Sequence, residues 1–173
     1  MSVRGADPTS KQGGAVGDPG AVSREQVVPA PPAEVFRWFV DPDLLARWIG
    51  IRATLEPRPG GSFRFEIVDG EWCSGRYLEV VPGRRVVFTW GWDSGAIPVP
   101  PGSSTVEVDL EPHPDGTLVR LVHRDLAPEV RPLHADGWSR FLPRLAAVVG
   151  GREPVPYPTA LPEEVPWPST PGP

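Results

Sequence analysis

Apolar and polar residues alternate with a period of two through much of the middle of this chain. Between Ser62 and Val68, Phe63, Phe65 and Ile67 alternate with Arg64 and Glu66, as in a strand with one dry face. Val86, Phe88, Trp90 and Trp92 share one side of Arg85–Trp92, and Val87, Thr89 and Gly91 the other. Val106, Val108 and Leu110 alternate with Glu107, Asp109 and Glu111; Thr117, Val119, Leu121 and His123 oppose Leu118, Arg120, Val122 and Arg124. Asp69-Gly70 and Asp115-Gly116 are hairpin turns by composition, and Pro82-Gly83 turns the chain again. Glu71–Val81 therefore returns antiparallel to its predecessor, and Val22–Val28 and Ile51–Glu56 complete the predicted strands.

Helical spacing appears in three places. Val35, Phe36 and Phe39 follow Pro32 in Ala33–Val40, where a first-turn Pro costs nothing because that N–H would be unpaired. Asp41-Pro42 reads as cap and first turn of a second short helix, Asp43–Trp48. The last element runs from about Leu133 to Val149, with Trp138, Phe141, Leu142, Leu145 and Val149 on one stripe, and Gly150-Gly151 stops it. Pro143 interrupts that pattern and predicts a kink near Ser139–Pro143.

One strand, two short helices, about six further strands and a long helix make an α+β chain. A single helix cannot cover both faces of such a sheet. The sheet should curl round it, its outer face wet, and enclose more volume than the helix fills. The surplus is a cavity.

Composition alters the picture mainly at the ends. Residues 1–20 hold five Gly, two Pro and no aromatic, so residues 1–21 are expected to be disordered. Eight of the 23 residues from Gly151 to Pro173 are Pro, predicting an extended, mobile tail over 153–173 unless Tyr157 or Trp167 docks back. Residues 22–152 remain as the domain. A formal charge of −5 with no basic run argues against nucleic-acid binding. Cys73, the one cysteine, cannot form an internal disulfide; with no signal-peptide core and no membrane span, the chain reads as cytoplasmic.

The segments Val35-Phe36-Arg37-Trp38-Phe39-Val40-Asp41-Pro42, Leu44-Leu45-Ala46-Arg47-Trp48, Gly60-Gly61-Ser62-Phe63, Gly75-Arg76-Tyr77-Leu78-Glu79-Val80-Val81-Pro82, Arg85-Val86-Val87-Phe88-Thr89-Trp90, Ser104-Thr105-Val106 and Gly137-Trp138, in this element order, carry a resemblance. Over roughly residues 22–152 the chain resembles bacterial proteins related to the activator of heat-shock-protein-90 ATPase, in the START/Bet v 1-like (SRPBCC) superfamily. The resemblance implies a helix-grip fold with a ligand cavity between sheet and long helix. It implies less about activity, since such folds serve lipid carriers, receptors, cyclases and chaperone partners alike.

The aromatic side chains are the main candidates for chemistry. Trp38, Trp48, Trp72, Trp90, Trp138, Phe63, Phe65, Phe88 and Phe141 either line the cavity or fill the core of a small domain. His123, on the face of Val119 and Leu121, either orients a polar ligand group, acts as acid or base, or is a satisfied core histidine. Arg76 points inward to an acidic ligand if Gly75 marks a bulge, and otherwise to a surface glutamate. Glu66, Glu71, Glu79, Glu107 and Asp109 are expected on wet faces. His113, His123 and His134 lack metal-ligand spacing, no nucleophile elbow or phosphate loop is present, and no catalytic residue or cofactor is assigned.

These readings converge on non-catalytic binding of a small hydrophobic or aromatic molecule. A cyclase- or hydrolase-type enzyme using the same cavity, and a chaperone-partner module, are the alternatives; a protein partner or homodimer stays open.

Overall fold

The computed structural model describes residues 18–161, and the two terminal segments beyond them, with Trp167, lie outside the described residues. Seven strands form one antiparallel sheet: β1 (Val22–Val28), β2 (Arg52–Leu55), β3 (Ser62–Val68), β4 (Glu71–Val81), β5 (Arg85–Trp90), β6 (Ser104–His113) and β7 (Gly116–Arg124). Their order across the sheet is β1-β7-β6-β5-β4-β3-β2. Helices α1 (Pro32–Val40) and α2 (Pro42–Leu45) follow β1, and α3 (Arg131–Val149) closes the inner face.

The local chemistry explains most boundaries. Pro32 opens α1, and its buried face is Val35, Trp38 and Phe39. Asp41 ends α1 and caps α2, its Oδ1 accepting from the backbone N–H of Asp43 (2.9 Å) and Leu44 (3.3 Å). Helix α2 is shorter than expected, ending at Leu45. Strand β5 also stops early, at Trp90. A Cβ on Gly91 would lie 2.0 Å from the Pro100 carbonyl oxygen, and Trp92 joins the sheet only through a single bridge to Cys73.

Two strands each carry one extra residue. Ile67 is inserted between the Glu66–Trp72 and Val68–Glu71 pairs, and Leu78 between Tyr77–Phe88 and Glu79–Val87. The irregularity expected at Gly75 thus lies at Leu78. Gly75 serves instead as a point of close approach, since a Cβ there would meet the Thr89 carbonyl oxygen at 1.8 Å. Arg76 lies outside, exposed, with Nη1 donating to the Gly60 carbonyl at 2.9 Å.

Helix α3 runs unbroken through Pro143. Pro143 is exposed, so the Ser139 carbonyl that it leaves without a helical donor is within reach of solvent. The outer sheet face is charged: Arg85 binds Glu79 (3.0 Å) and Asp109 (2.9 Å), and Arg124 binds Glu107 (3.2 Å). Glu66 departs from that pattern. Its side chain is buried on the outer face, where it accepts from the Gly70 N–H (2.8 Å) and Arg52 Nε (2.5 Å), and the Gly70 bond chiefly holds its carboxyl below the usual range.

The C-terminal segment is part of the folded unit as far as it is described. Gly151, at φ 70°, reverses the chain, with Gly151 N–H bonded to the Val148 carbonyl (3.2 Å) and Arg152 N–H to that of Ala147 (2.9 Å). Residues 152–161 then return over the domain, which is the docking of Tyr157 left open by the sequence rather than the loose tail that the prolines favoured. The physical reason is Tyr157: its hydroxyl accepts from Gly50 N–H at 2.6 Å and donates to the Ile67 carbonyl at 2.7 Å.

Candidate functional site

A cavity of about 320 Å³ opens between the sheet and the N-terminal half of α3. Ile67 and Val68 of β3, Trp90 of β5 and the following Trp92 form the sheet side. Helix α3 contributes Leu133, His134, Trp138 and Phe141, with Asp136 and Arg140 bordering the same space. Pro158, Ala160 and Leu161 supply the remaining wall. The volume is at the lower end of the range of about 300–1,000 Å³ usual for small-molecule pockets.

The polar groups in and behind this wall form two closed chains. Trp138 Nε1 donates to His123 Nδ1 (3.1 Å), His123 Nε2 meets Ser104 Oγ (2.8 Å), and Ser104 Oγ donates to the Trp90 carbonyl (2.9 Å). Because Nδ1 accepts and the serine proton is committed, His123 carries its proton on Nε2. The second histidine has the opposite tautomer. His134 Nδ1 donates to the Val130 carbonyl (2.7 Å), and Nε2 accepts from Trp92 Nε1 (3.2 Å). The two imidazoles meet edge to face, with centroids 5.1 Å apart.

Burial pushes the pKa of His123 well below its usual 6.5, and the neighbouring His134 adds to this. His134 is lowered by burial too, with its bond to Val130 opposing. Both rings are therefore neutral at physiological pH. Asp136 and Arg140 pair with each other at 3.0 Å, so the charges bordering the cavity are mutually compensated. Trp90 Nε1 has no partner among the described residues, an orphan that costs about 1–3 kcal/mol. No group of three metal-binding side chains occurs among the described residues.

Of the residues singled out from the sequence, Trp90, Trp138 and Phe141 border the cavity. His123 lies behind them, fully buried, within 5.6 Å of Trp90 and 6.1 Å of Trp138 between ring centroids. Phe63, Phe65 and Phe88 form a separate aromatic stack: Phe63 lies on Phe88 at 3.9 Å, and the edge of Phe65 reaches Trp90 at 5.2 Å. Trp38 and Trp48 are tied together elsewhere, Trp48 Nε1 donating to the Trp38 carbonyl (3.1 Å), and do not border the cavity. Trp72 is on the outer face, its ring flanked by the guanidinium groups of Arg64 (3.9 Å) and Arg52 (5.2 Å). The strand period put it there: Trp72 pairs with Glu66, next to the inward pair Phe65–Cys73.

His134 and Trp92 are among the wall residues not singled out for binding. A signal existed for both. His134 precedes Trp138 by four on the helical stripe, and Trp92 continues the Phe88–Trp90 face. Pro158, Ala160 and Leu161 carried no such signal, because their position follows from the fold-back of the chain.

Solved structures share this architecture. An AHSA1-like protein from Rhizobium etli is 41% identical, with a TM-score of 0.64 over 81% of this chain and 88% of its own. A protein from Chromobacterium violaceum is 29% identical, with a TM-score of 0.66 over 76% of this chain and 98% of its own. CalU16 from Micromonospora echinospora is 27% identical, with a TM-score of 0.62 over 78% and 77%. No curated protein matches the sequence. The model of activator of Hsp90 ATPase homolog 1-like proteins matches residues 29–150, and with its seven-stranded helix-grip domain the chain belongs to that family.

Proposed function

We propose that this protein binds a small, neutral, hydrophobic or aromatic molecule between its sheet and long helix, and does not transform it. The cavity of about 320 Å³ walled by Trp90, Trp92, Trp138 and Phe141 carries this reading. Rings from two elements offer a flat ligand several edges and faces at low entropic cost. The fold is one that often houses hydrophobic ligands.

Neutrality of the ligand follows from the walls. A charged guest would lose its hydration with no free counter-charge inside, at a cost of several kcal/mol. Binding is favoured over turnover because each imidazole spends both ring nitrogens on the protein and stays neutral. General acid–base work would require breaking those bonds first.

Titration with N-phenyl-1-naphthylamine, a neutral probe that fluoresces in apolar surroundings, tests the proposal. Saturable one-to-one binding, weakened about tenfold or more in Trp138→Ala, is expected. Absence of binding by this probe and by a panel of lipids, flavonoids and polyketides would remove the reading. So would a stability gain seen only on adding a protein partner.

A further inference from the structure

We infer that residues 152–161, which lie beyond the family match, are a specificity wall and latch for the ligand site; this rests on reading the cavity as that site. The family match ends at residue 150. The Chromobacterium violaceum structure aligns over 98% of its own length yet covers only 76% of this chain, so the chain has sequence that such a relative lacks. Pro158, Ala160 and Leu161 lie beyond residue 150, and they border the cavity. Its shape here is therefore not set by the family domain alone.

The segment is held by specific bonds. Helix α3 ends in a glycine reversal that aims the chain back across its own surface. Arg144, on α3, donates from Nε to the Trp48 carbonyl (3.1 Å) and from Nη1 to that of Val155, and its guanidinium lies 4.9 Å from the Tyr157 ring centre. The Tyr157 ring packs on Phe141, itself a wall residue, at 5.6 Å. Its hydroxyl joins two backbone groups from separate parts of the chain, the Gly50 N–H ahead of β2 and the Ile67 carbonyl of β3. Ile67 is the extra residue of β3 and has no partner residue on β4, so the tail satisfies a carbonyl exposed by the bulge. The latch thus closes on β3 beside the wall residues Ile67 and Val68.

A wall made from a returning segment outside the sheet can open without unfolding the sheet, because its bonds are few. Ligand size is limited by Leu161 and its neighbours, and exchange passes through release of Tyr157.

The full-length chain tests this with the same naphthylamine probe in stopped flow. Tyr157→Phe removes both hydroxyl bonds and is expected to raise association and dissociation rates together by about tenfold. Leu161→Trp is expected to weaken equilibrium binding about tenfold without lowering the melting temperature. In the wild type, the probe should slow hydrogen exchange at the amides of 152–161. That last readout needs no variant and stands if Tyr157→Phe fails to fold. Wild-type binding with rates and affinity unchanged in both variants, and no probe-dependent protection of the segment, overturns the inference while sparing the cavity. Absence of wild-type binding removes the cavity reading instead.

Discussion

Trp138 Nε1 donates to Nδ1 of His123 across 3.1 Å, joining α3 to β7 in the interior. The bond couples the one polar side chain on the inner face of β7's C-terminal half to the helix that crosses it. His123→Ala would leave the Trp138 N–H without an acceptor and a void beside Trp90. The expected loss is about 2–4 kcal/mol, combining an orphaned donor with a cavity. Urea unfolding should show a lower midpoint with an unchanged slope. An unchanged midpoint would mean that the pair is dispensable.

Both buried histidines make stability depend on pH. Their pKa values are lowered in the folded protein, so below 6.5 the unfolded chain binds protons that the folded one excludes. Stability is therefore fully present above about pH 6.5 and declines as pH falls through and below it. The slope approaches at most about 1.4 kcal/mol per pH unit for each histidine. Glu66, also lowered, adds to the loss below its ordinary 4.5. Urea midpoints from about pH 7.5 to about pH 5 measure this, and His134→Gln should flatten the upper part of the curve. A flat wild-type profile would contradict it.

Pro143 is a stability deficit on an exposed face of α3. Alanine there restores a donor for the Ser139 carbonyl and relieves the ring clash, offset in part by greater freedom of the unfolded chain. A net gain of about 2 kcal/mol, seen as a higher melting temperature, is expected. A fall in melting temperature would show that the proline shapes the helix usefully.

The two faces of the sheet should separate in binding experiments. Trp72→Leu removes contacts with Arg52 and Arg64 on the outer face. That costs about 0.5–1 kcal/mol of stability and should leave affinity for the naphthylamine probe unchanged. Trp138→Leu, on the cavity wall, should weaken the probe about tenfold. Equal effects from both would place the ligand elsewhere.

Much of the scaffold was legible residue by residue. Val22–Val28, Ser62–Val68 and Glu71–Val81 coincide with β1, β3 and β4, because alternation and an Asp-Gly turn are local properties. The inward direction of Phe63, Phe65, Phe88, Trp90 and His123 followed from the same period. Direction did not decide destination. Phe63 and Phe88 stack on one another, Trp90 borders the cavity, and His123 is sealed behind it. That division depends on where α3 crosses the sheet.

Glu66 and Tyr157 mark where local reasoning ended. Alternation placed Glu66 correctly on the outer face but gave no sign that Arg52 and the Gly70 turn would enclose it. Proline density suggested a loose C-terminus, and entropy favours one unless specific contacts offset it. The Tyr157 bonds to Gly50 and Ile67 supply those contacts, and they join residues about a hundred positions apart.

By itself the sequence determined the order of elements, the inner and outer faces of each strand, and the family, since these rest on neighbours along the chain. The tertiary structure alone decided which aromatic rings meet, how much space they leave, and that the C-terminal segment walls it. Those depend on long-range packing, in which a bulge, a glycine reversal and one tyrosine hydroxyl set distances that no periodicity encodes.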